Sequence, residues 1–396
     1  MKIAIIARIY SKKGGISRYA AELAEGLSKE HEVHVFANSW QDASDKIIFH
    51  KVPMIKGNFF LKRKKAGLAT ILQVYSFALM LNWSKIDTNS FDVVHTQGDS
   101  FCPFDIFTAH SCHKVAVKVA RQSTSGLYNF LKNTRINPLN LIVLWIEKFT
   151  LKKGRYKKII SVSEGVKREI IENYNLPAED IVAIPNGVAL EEFNPKNKNI
   201  WREEIRNKYN IKNDDILLLF TGYEFKRKGL KYIIEALPLI DNKEVKILVV
   251  GRDDEKPFYN IAKQLGVEKR VVFVGYSTEV NRYYAASDIF VFPTLYEAFS
   301  LATIEAVASG LPILTTKVNG TEELVQDGYN GFFIKRDAKD IAEKVNLLIK
   351  NPLLITQLGE NARKTAEKYS WQKIVKRTLE VYKEVKLRKE SYTSQN

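Results

Sequence analysis

DIFVFPTLYEAFSLATIEAVASGLPILTT, residues 288–316, holds a complete strand–loop–helix–strand unit. DIFVFP (288–293) and LPILTT (311–316) are near-continuous apolar runs, as expected of strands whose two faces are both covered. SLATIEAVASG (300–310) lies between them. It opens on Ser300, a helix-capping residue type. Two strands joined through a helix lie parallel in one sheet.

The same alternation extends outward. ILLLFTG (216–222), VKILVVG (245–251) and RVVFVG (270–275) read as strands; GLKYIIEALPLI, NIAKQLG and TEVNRYYAAS read as the helices between them. An equivalent series occupies the N-terminal half. KIAIIAR (2–8), EVHVFA (32–37), FDVVHTQ (91–97), DIFTAH (105–110), YKKIISVS (156–163) and IVAIPNGV (181–188) are strands, with helices over 14–30 and, from a Ser163 cap, 163–175. The polar join Glu191–Asn199, containing NPKNKN, reads as a loop. The expectation is an α/β chain of two Rossmann-like, doubly wound domains, residues 1–190 and 191–370, with ligands bound in a cleft at the carboxyl ends of their strands. SWQKIVKRTLEVYKEVKLRKE (370–390) is an amphipathic helix with no strand after it.

Bulk properties agree with two domains. The chain has 396 residues, of which 45% are hydrophobic and 27% charged, enough to bury two cores. No uninterrupted apolar run reaches the length of a membrane span. Arg8 breaks the apolar N-terminus, which reads as a first strand rather than a secretory signal. Two cysteines, Cys102 and Cys112, make neither a disulfide framework nor a four-ligand zinc site and point to a reducing, cytoplasmic setting. Net charge is +16, and residues 51–170 hold 20 Lys and Arg against 7 Asp and Glu. Such a region suits an anionic partner or is a solvated lysine-rich surface. Within it, NFFLKRKKAGLATILQVYSFALMLNW (58–83) places Lys62-Arg63-Lys64-Lys65 before an apolar helix, an arrangement that can lie on anionic lipid or serve as a core helix.

Four segments carry chemistry. In 293–316, Glu297 follows a strand end and Glu305 lies five residues into the helix, roughly 7–8 Å along its axis. Free amides near Phe299, Ser300 and Leu301 sit between them, at a helix N-terminus suited to a diphosphate. In TGYEFKRKGLKYIIEAL (221–237) a strand ends at Gly222, and Arg227-Lys228-Gly229 opens a helix. Cations there oppose the helix dipole, which an anion held between them would explain. In SKKGGISRY (11–19), Gly14-Gly15 lets backbone approach a ligand, although the dinucleotide pattern GxGxxG is absent. In DIFTAHSCHK (105–114), His110 ends a strand where a sugar would bind; His110, Cys112 and His113 lack a zinc spacing and a fourth ligand.

In this order the four segments resemble the retaining glycosyltransferases of family 4, which have the GT-B fold. The resemblance takes in Gly14-Gly15, PNGV (185–188), the Arg-Lys-Gly motif, the Glu297…Glu305 pair and the Ser370-Trp371 helix, and so spans nearly the whole chain. It implies that the C-terminal helix (371–396) crosses back to the N-terminal, acceptor-binding domain. Arg227 and Lys228 would neutralise the donor diphosphate, Glu297 would bind hydroxyls of the transferred sugar, and Glu305 the ribose. Backbone near Phe299–Leu301 and Gly14–Gly15 would touch phosphate, the backbone at Tyr276 would meet the base, and His110 would line the sugar site. Tyr223 stands where many members carry Arg, a form that resembles the lipopolysaccharide-core α-glucosyltransferase branch. Ala298 and Ser300 replace two glycines of the common Glu-Gly-Phe-Gly.

The resemblance implies transfer of a hexose from a nucleotide-sugar, of the UDP type, to a lipid-linked or cell-surface glycan, with no cofactor or metal. The cysteine count implies a cytoplasmic enzyme, and the basic stretch 58–83 a peripheral place on the inner face of an anionic membrane. A non-hydrolysing sugar-nucleotide epimerase shares the fold but needs acid/base residues in place of this glutamate pair. A nucleic-acid-binding protein would use the charge, but aromatic-plus-basic stacking motifs are not evident.

Overall fold

The computed structural model describes residues 1–55, 66–83, 86–98, 100–122 and 138–393; the Lys62–Lys65 cluster lies outside them. The chain divides into two compact units. One comprises Met1–Asn186 with Trp371–Asn396, the other Gly187–Ser370.

In the first unit the chain runs through β1 (Lys2–Ile6), β2 (Ile9–Tyr10), α1 (Ile16–Leu27), β3 (Glu32–Ala37), β4 (Ser39–Trp40), β5 (Ile47–Lys51), α2 (Ala66–Trp83), β6 (Val93–Thr96), β7 (Ile106–Ala109), α3 (His113–Gln122), α4 (Pro138–Thr150), β8 (Lys158–Ser161), α5 (Glu164–Tyr174) and β9 (Ile181–Ala183). In the second it runs through α6 (Lys198–Lys208), β10 (Leu217–Thr221), α7 (Phe225–Lys228), α8 (Leu230–Ala236), β11 (Lys246–Val250), α9 (Lys256–Gln264), β12 (Val271–Gly275), α10 (Val280–Ala286), β13 (Ile289–Phe292), α11 (Leu301–Ala308), β14 (Ile313–Thr315), α12 (Thr321–Leu324), β15 (Gly331–Phe333), α13 (Ala338–Ile349) and α14 (Pro352–Ala366). It then returns to the first unit as α15 (Trp371–Thr393).

Both units are parallel sheets of the doubly wound kind. The first has strand order β5-β3-β1-β6-β7-β8-β9 and the second β12-β11-β10-β13-β14-β15. In each, the first strand lies inside the sheet, the next strands step outward on one side, and the chain then crosses to build the other side. The order reverses between β1 and β6, and between β10 and β13. Ligands of such sheets bind beyond the carboxyl ends of the strands at these reversals. Gly14-Gly15 and Gln97 flank the first reversal, Gly222 and Glu297 the second.

Local chemistry accounts for the elements that carry the site. Ser163 caps α5 by accepting from the Val166 amide at 3.0 Å, and Asn175, left-handed at φ 53°, ends that helix. α15 buries Ile374, Val381, Tyr382 and Val385, one face of a helix, against the first unit. Each side chain so buried contributes about 1.5–3 kcal/mol. Gly26 of α1 lets α15 come close, since a Cβ there would lie 2.5 Å from Val375 Cγ2. In the second unit, buried Arg206 of α6 donates to the carbonyls of Ala286, Lys212, Asn213 and Asp215 and to Asp288 at 2.7 Å. Asp288 in turn accepts from the Leu217 amide, tying the starts of β10 and β13 together.

The polar join differs from expectation. The loop read through Asn199 gives way to helix at Pro195–Asn197, where Asn194 accepts from the Lys196 amide and Pro195 starts the turn, and α6 follows from Lys198.

Candidate active site

The second unit gathers its charged residues at the reversal between β10 and β13. The rim is bare backbone. Gly222, Gly251 and Gly275, at or just after the ends of β10, β11 and β12, stand side by side. The Gly222 amide donates to Val250 and the Gly251 amide to Gly275, both at 2.9 Å. Gly251 has φ 153°, and a Cβ there would fall 1.8 Å from the Gly222 carbonyl oxygen. Gly222 has φ 133°, and its Cβ would lie 2.7 Å from Lys228 Nζ. Glycine at 222 therefore makes room for the lysine that folds back over the strand end.

The basic pair does not open a long helix, as the sequence suggested. Asp253 Oδ2 accepts from the Phe225 amide at 2.7 Å and starts the single turn α7; Gly229, at φ 82°, ends it before α8 begins. Arg227 and Lys228 thus sit in the last turn of α7, where carbonyl oxygens favour cations, and the proposed conflict with the dipole falls away. What holds them is a carboxylate. Arg227 donates to Glu297 at 3.2 Å and to the Tyr296 carbonyl, and pairs with Glu224 at 2.9 Å. Burial opposes its charge, but Glu297 and Glu224 outweigh burial and raise its pKa. Lys228 Nζ lies 3.8 Å from Glu297 Oε1 and 4.6 Å from the Phe292 ring centroid, with its side chain 13% exposed. Burial lowers its pKa despite the pull of Glu297. Glu297 is shared by both cations, while Glu224, which also pairs with Arg227, is 65% exposed and screened by solvent.

Glu297 is itself oriented by Thr294, whose hydroxyl donates to it at 2.9 Å. Three residues later Ser300 caps α11, accepting from the Thr303 amide at 3.2 Å. The first amides of α11, from Leu301, have no intrahelical acceptor. Phe299 is fixed beneath the α12 turn, where a Cβ on Gly320 would come 2.5 Å from Phe299 Cα. Glu305, one turn into α11, accepts from Tyr284 at 3.1 Å. That hydroxyl also lies 3.0 Å from Thr221 Oγ1 at the end of β10. Burial and then Glu305 drive the Tyr284 pKa well up, so the phenol stays protonated. Tyr276 follows β12, the outer strand, and is 55% exposed.

In the first unit, Gly14 has φ 95° and Gly15 caps α1. A cavity of about 400 Å³ opens beside this turn, lined by Arg8, Ser17, Gln97, Thr108, His110 and Glu147, among others. His110 follows β7, lies 3.0 Å from Gln97 through Nε2, and packs edge-on to Tyr19 at 5.1 Å. Burial pushes its pKa down to about 3, so the imidazole is neutral. Cys102 and Cys112 are free thiols, both buried. Glu147 caps α3 by accepting from the His113 amide at 2.6 Å. Among the described residues no group of three His, Cys, Asp or Glu could hold a metal ion.

The structure thus joins Arg227, Lys228, Glu297 and Gly222 directly and places Glu305 on the adjoining helix. Gly14, Gly15 and His110 share one end of the first sheet. Sequence reading missed Thr294, Tyr284 and Gln97, which hydrogen-bond Glu297, Glu305 and His110, and Asp253 and Glu147, which fix the starts of α7 and α3 through backbone amides. Thr294 and Asp253 had a visible signal, being polar residues just beyond a strand end. Tyr284 looked like any apolar-face aromatic.

Residues 13–192 match the family described as Glycosyltransferase Family 4, and residues 201–365 that described as Glycosyl transferases group 1. Over 398 residues, the chain is 25% identical to an uncharacterized glycosyltransferase, MJ1607, of Methanocaldococcus jannaschii, covering 97% of this chain and 98% of that one. It is 29% identical over 226 residues to the UDP-Gal:alpha-D-GlcNAc-diphosphoundecaprenol alpha-1,3-galactosyltransferase of Escherichia coli, 55% of this chain and 57% of that one. Among solved structures, WaaG, a glycosyltransferase involved in lipopolysaccharide biosynthesis, superposes with a TM-score of 0.75 at 22% identity, covering 96% and 99% of the two chains, and shares the fold.

Proposed function

The chain belongs to glycosyltransferase family 4, and on that premise we propose that it moves a hexose, with retention of anomeric configuration, from a UDP-sugar to a lipid-linked or cell-surface glycan of the lipopolysaccharide-core kind. The observation that carries this reading is the partly buried Arg227–Lys228–Glu297 cluster at the β10/β13 reversal, beside the capped start of α11. Departure of a nucleoside diphosphate builds negative charge on its β-phosphate. Cations already fixed by Glu297, together with the first amides of α11, stabilise that charge without reorganising. Glu305, held by Tyr284, is set to take the ribose hydroxyls, and Glu297 the sugar hydroxyls. With the leaving charge met by Arg227 and Lys228, the reading assigns no task to a metal. Retention follows from attack on the face the diphosphate leaves, with that phosphate taking the acceptor proton.

The first unit supplies the acceptor side in this reading. Neutral His110 lines its cavity. The helix pair α2 and α4 supports a place on an anionic membrane surface. Tyr75 and Leu79 of α2, and Leu141 and Trp145 of α4, are exposed one turn apart on their helices, and Lys148, Lys152 and Lys153 are exposed at the end of α4. No described helix is long and apolar enough to cross a membrane. The relative's printed name, with its UDP-sugar and diphosphoundecaprenol, agrees with a nucleotide-sugar and a lipid-linked acceptor. The test is turnover of UDP-, GDP- and ADP-sugars with and without EDTA, reading the anomeric configuration of the product by NMR. Transfer from a UDP-sugar in EDTA, with retention, is expected. Inversion, epimerised donor or no turnover of any donor would overturn the proposal.

A further inference from the structure

The single turn α7 is short of partners at its end. Gly229 stops it before a second turn can supply amides to its carbonyls, apart from the Gly229 amide itself, 3.3 Å from the Lys226 oxygen. Arg336, three residues past the end of β15, supplies donors instead. Its Nη2 donates to the carbonyls of Lys226 at 3.1 Å and Arg227 at 3.3 Å. Its guanidinium also lies over the Tyr232 ring of α8, with Cζ 5.1 Å from the centroid. One side chain therefore spans the break at Gly229, holding α7 by its carbonyls and α8 by an aromatic face. The Leu295 amide, in the loop that leads to Glu297, donates to the same Arg227 carbonyl at 3.0 Å. The direction of each bond is fixed, because guanidinium and amide nitrogens only donate and carbonyls only accept.

We propose that Arg336 is a positioning residue for transfer, clamping the last turn of α7 so that Arg227 and Lys228 keep their place against Glu297. The proposal rests on the reading of those two cations as partners of the donor diphosphate. Arg227 is held twice: its side chain by Glu297 and the Tyr296 carbonyl, its backbone by Arg336 and Leu295. Lys228 is the next residue, so whatever fixes the Arg227 carbonyl fixes the peptide from which Lys228 extends. Without Arg336 the two carbonyls keep only single amide donors, and the turn that carries both cations loses its brace. Arg336 also brings charge. Among the described residues it forms no ion pair. Burial lowers its pKa, with Tyr232 opposing and the Arg227 charge adding. Two guanidiniums are thus held close while only that of Arg227 is paired with carboxylates, an imbalance that a bound diphosphate would offset.

The test is a double-mutant cycle on the full chain, reading turnover of the UDP-sugar that wild type uses, with hydrogen exchange over residues 225–229 followed by mass spectrometry. Arg336→Met is expected to lose about tenfold in kcat and to exchange faster over that segment. Arg336→Lys, whose one nitrogen can serve both carbonyls as Nη2 does, restores both readouts. In the Lys228→Ala background Arg336→Met costs less than about threefold, because only Arg227 is left to misplace. A merely structural role would cost the same factor in both backgrounds, and that result overturns the proposal. So does exchange indifferent to Arg336→Met. Should that variant fail to fold, Arg336→Gln, which keeps a donor but no charge, is read by the same cycle and the same criteria. The two failures separate cleanly. A rate indifferent to Lys228→Ala refutes the donor-site reading; a rate that falls with Lys228→Ala but not with Arg336→Met refutes the role of Arg336 alone.

Discussion

Lys228→Ala probes the donor site where its geometry is most constrained. The ammonium is nearly buried, 3.8 Å from Glu297 and 4.6 Å from the Phe292 ring centroid, in the space that Gly222 leaves open. The sequence presented it as a cation at a helix start; the structure makes it a desolvated charge sharing one carboxylate with Arg227. Removing it leaves Glu297 bonded to Arg227 and Thr294, so no buried carboxylate is stranded and the fold survives. What is lost is one preorganised positive charge facing the departing diphosphate. Loss of such a donor costs ~10²–10³ in rate, about 3–4 kcal/mol of transition-state stabilisation. The assay is steady-state turnover of a UDP-sugar, with thermal denaturation as the control for folding. Activity within threefold of wild type (roughly 0.7 kcal/mol) would refute the reasoning. The wild type adds a pH signature. Burial lowers the Lys228 pKa from its ordinary 10.5, so in the empty enzyme this lysine loses its proton sooner than an exposed one. Diphosphate affinity should fall as pH rises through that lowered pKa, and the fall should be absent in Lys228→Ala.

Four further outcomes follow from the same geometry. Glu305→Ala should weaken binding of bare UDP by calorimetry, whereas Glu297→Ala should chiefly lower turnover; equal binding defects would dissolve that division of roles. Activity should persist in EDTA, because Arg227 and Lys228 meet the leaving charge; loss in chelator restored by Mg²⁺ or Mn²⁺ would show a metal requirement. Arg206→Met removes five hydrogen bonds from a buried guanidinium and should cost about 3 kcal/mol of stability, Arg202 still pairing with Asp288; an unchanged Tm would contradict it. The protein should float with anionic vesicles at ~50 mM salt and release at high salt, each basic residue near the surface being worth ~1 kcal/mol, and Trp145→Ala should weaken the association; equal binding to neutral vesicles would exclude the electrostatic part.

The doubly wound architecture was legible because both sheets are built of apolar runs punctuated by glycine or a capping residue. ILLLFTG and DIFVFP admit no other reading once a helix lies between their successors. β5 was not, since His50 and Lys51 sit in an outer strand that is only partly covered, and β15 is too short to leave a pattern. The Ser300 cap and the Glu297…Glu305 spacing could be read along one segment. The Arg227–Glu297 pair could not, because it joins residues seventy apart that only the β10/β13 neighbourhood brings together. The α7 break was missed for a local reason. Gly229 sits inside a run of good helix formers, and only its positive φ reveals two helices where the sequence shows one. The links among Tyr284, Glu305 and Thr221 are likewise tertiary.

The most direct measurement is the structure of the chain bound to UDP. The diphosphate should lie against Arg227 and Lys228 with its oxygens at the first amides of α11, and the ribose hydroxyls should meet Glu305. A nucleotide bound elsewhere in the second unit, or a diphosphate that leaves the Arg227–Lys228–Glu297 cluster untouched, would contradict the account.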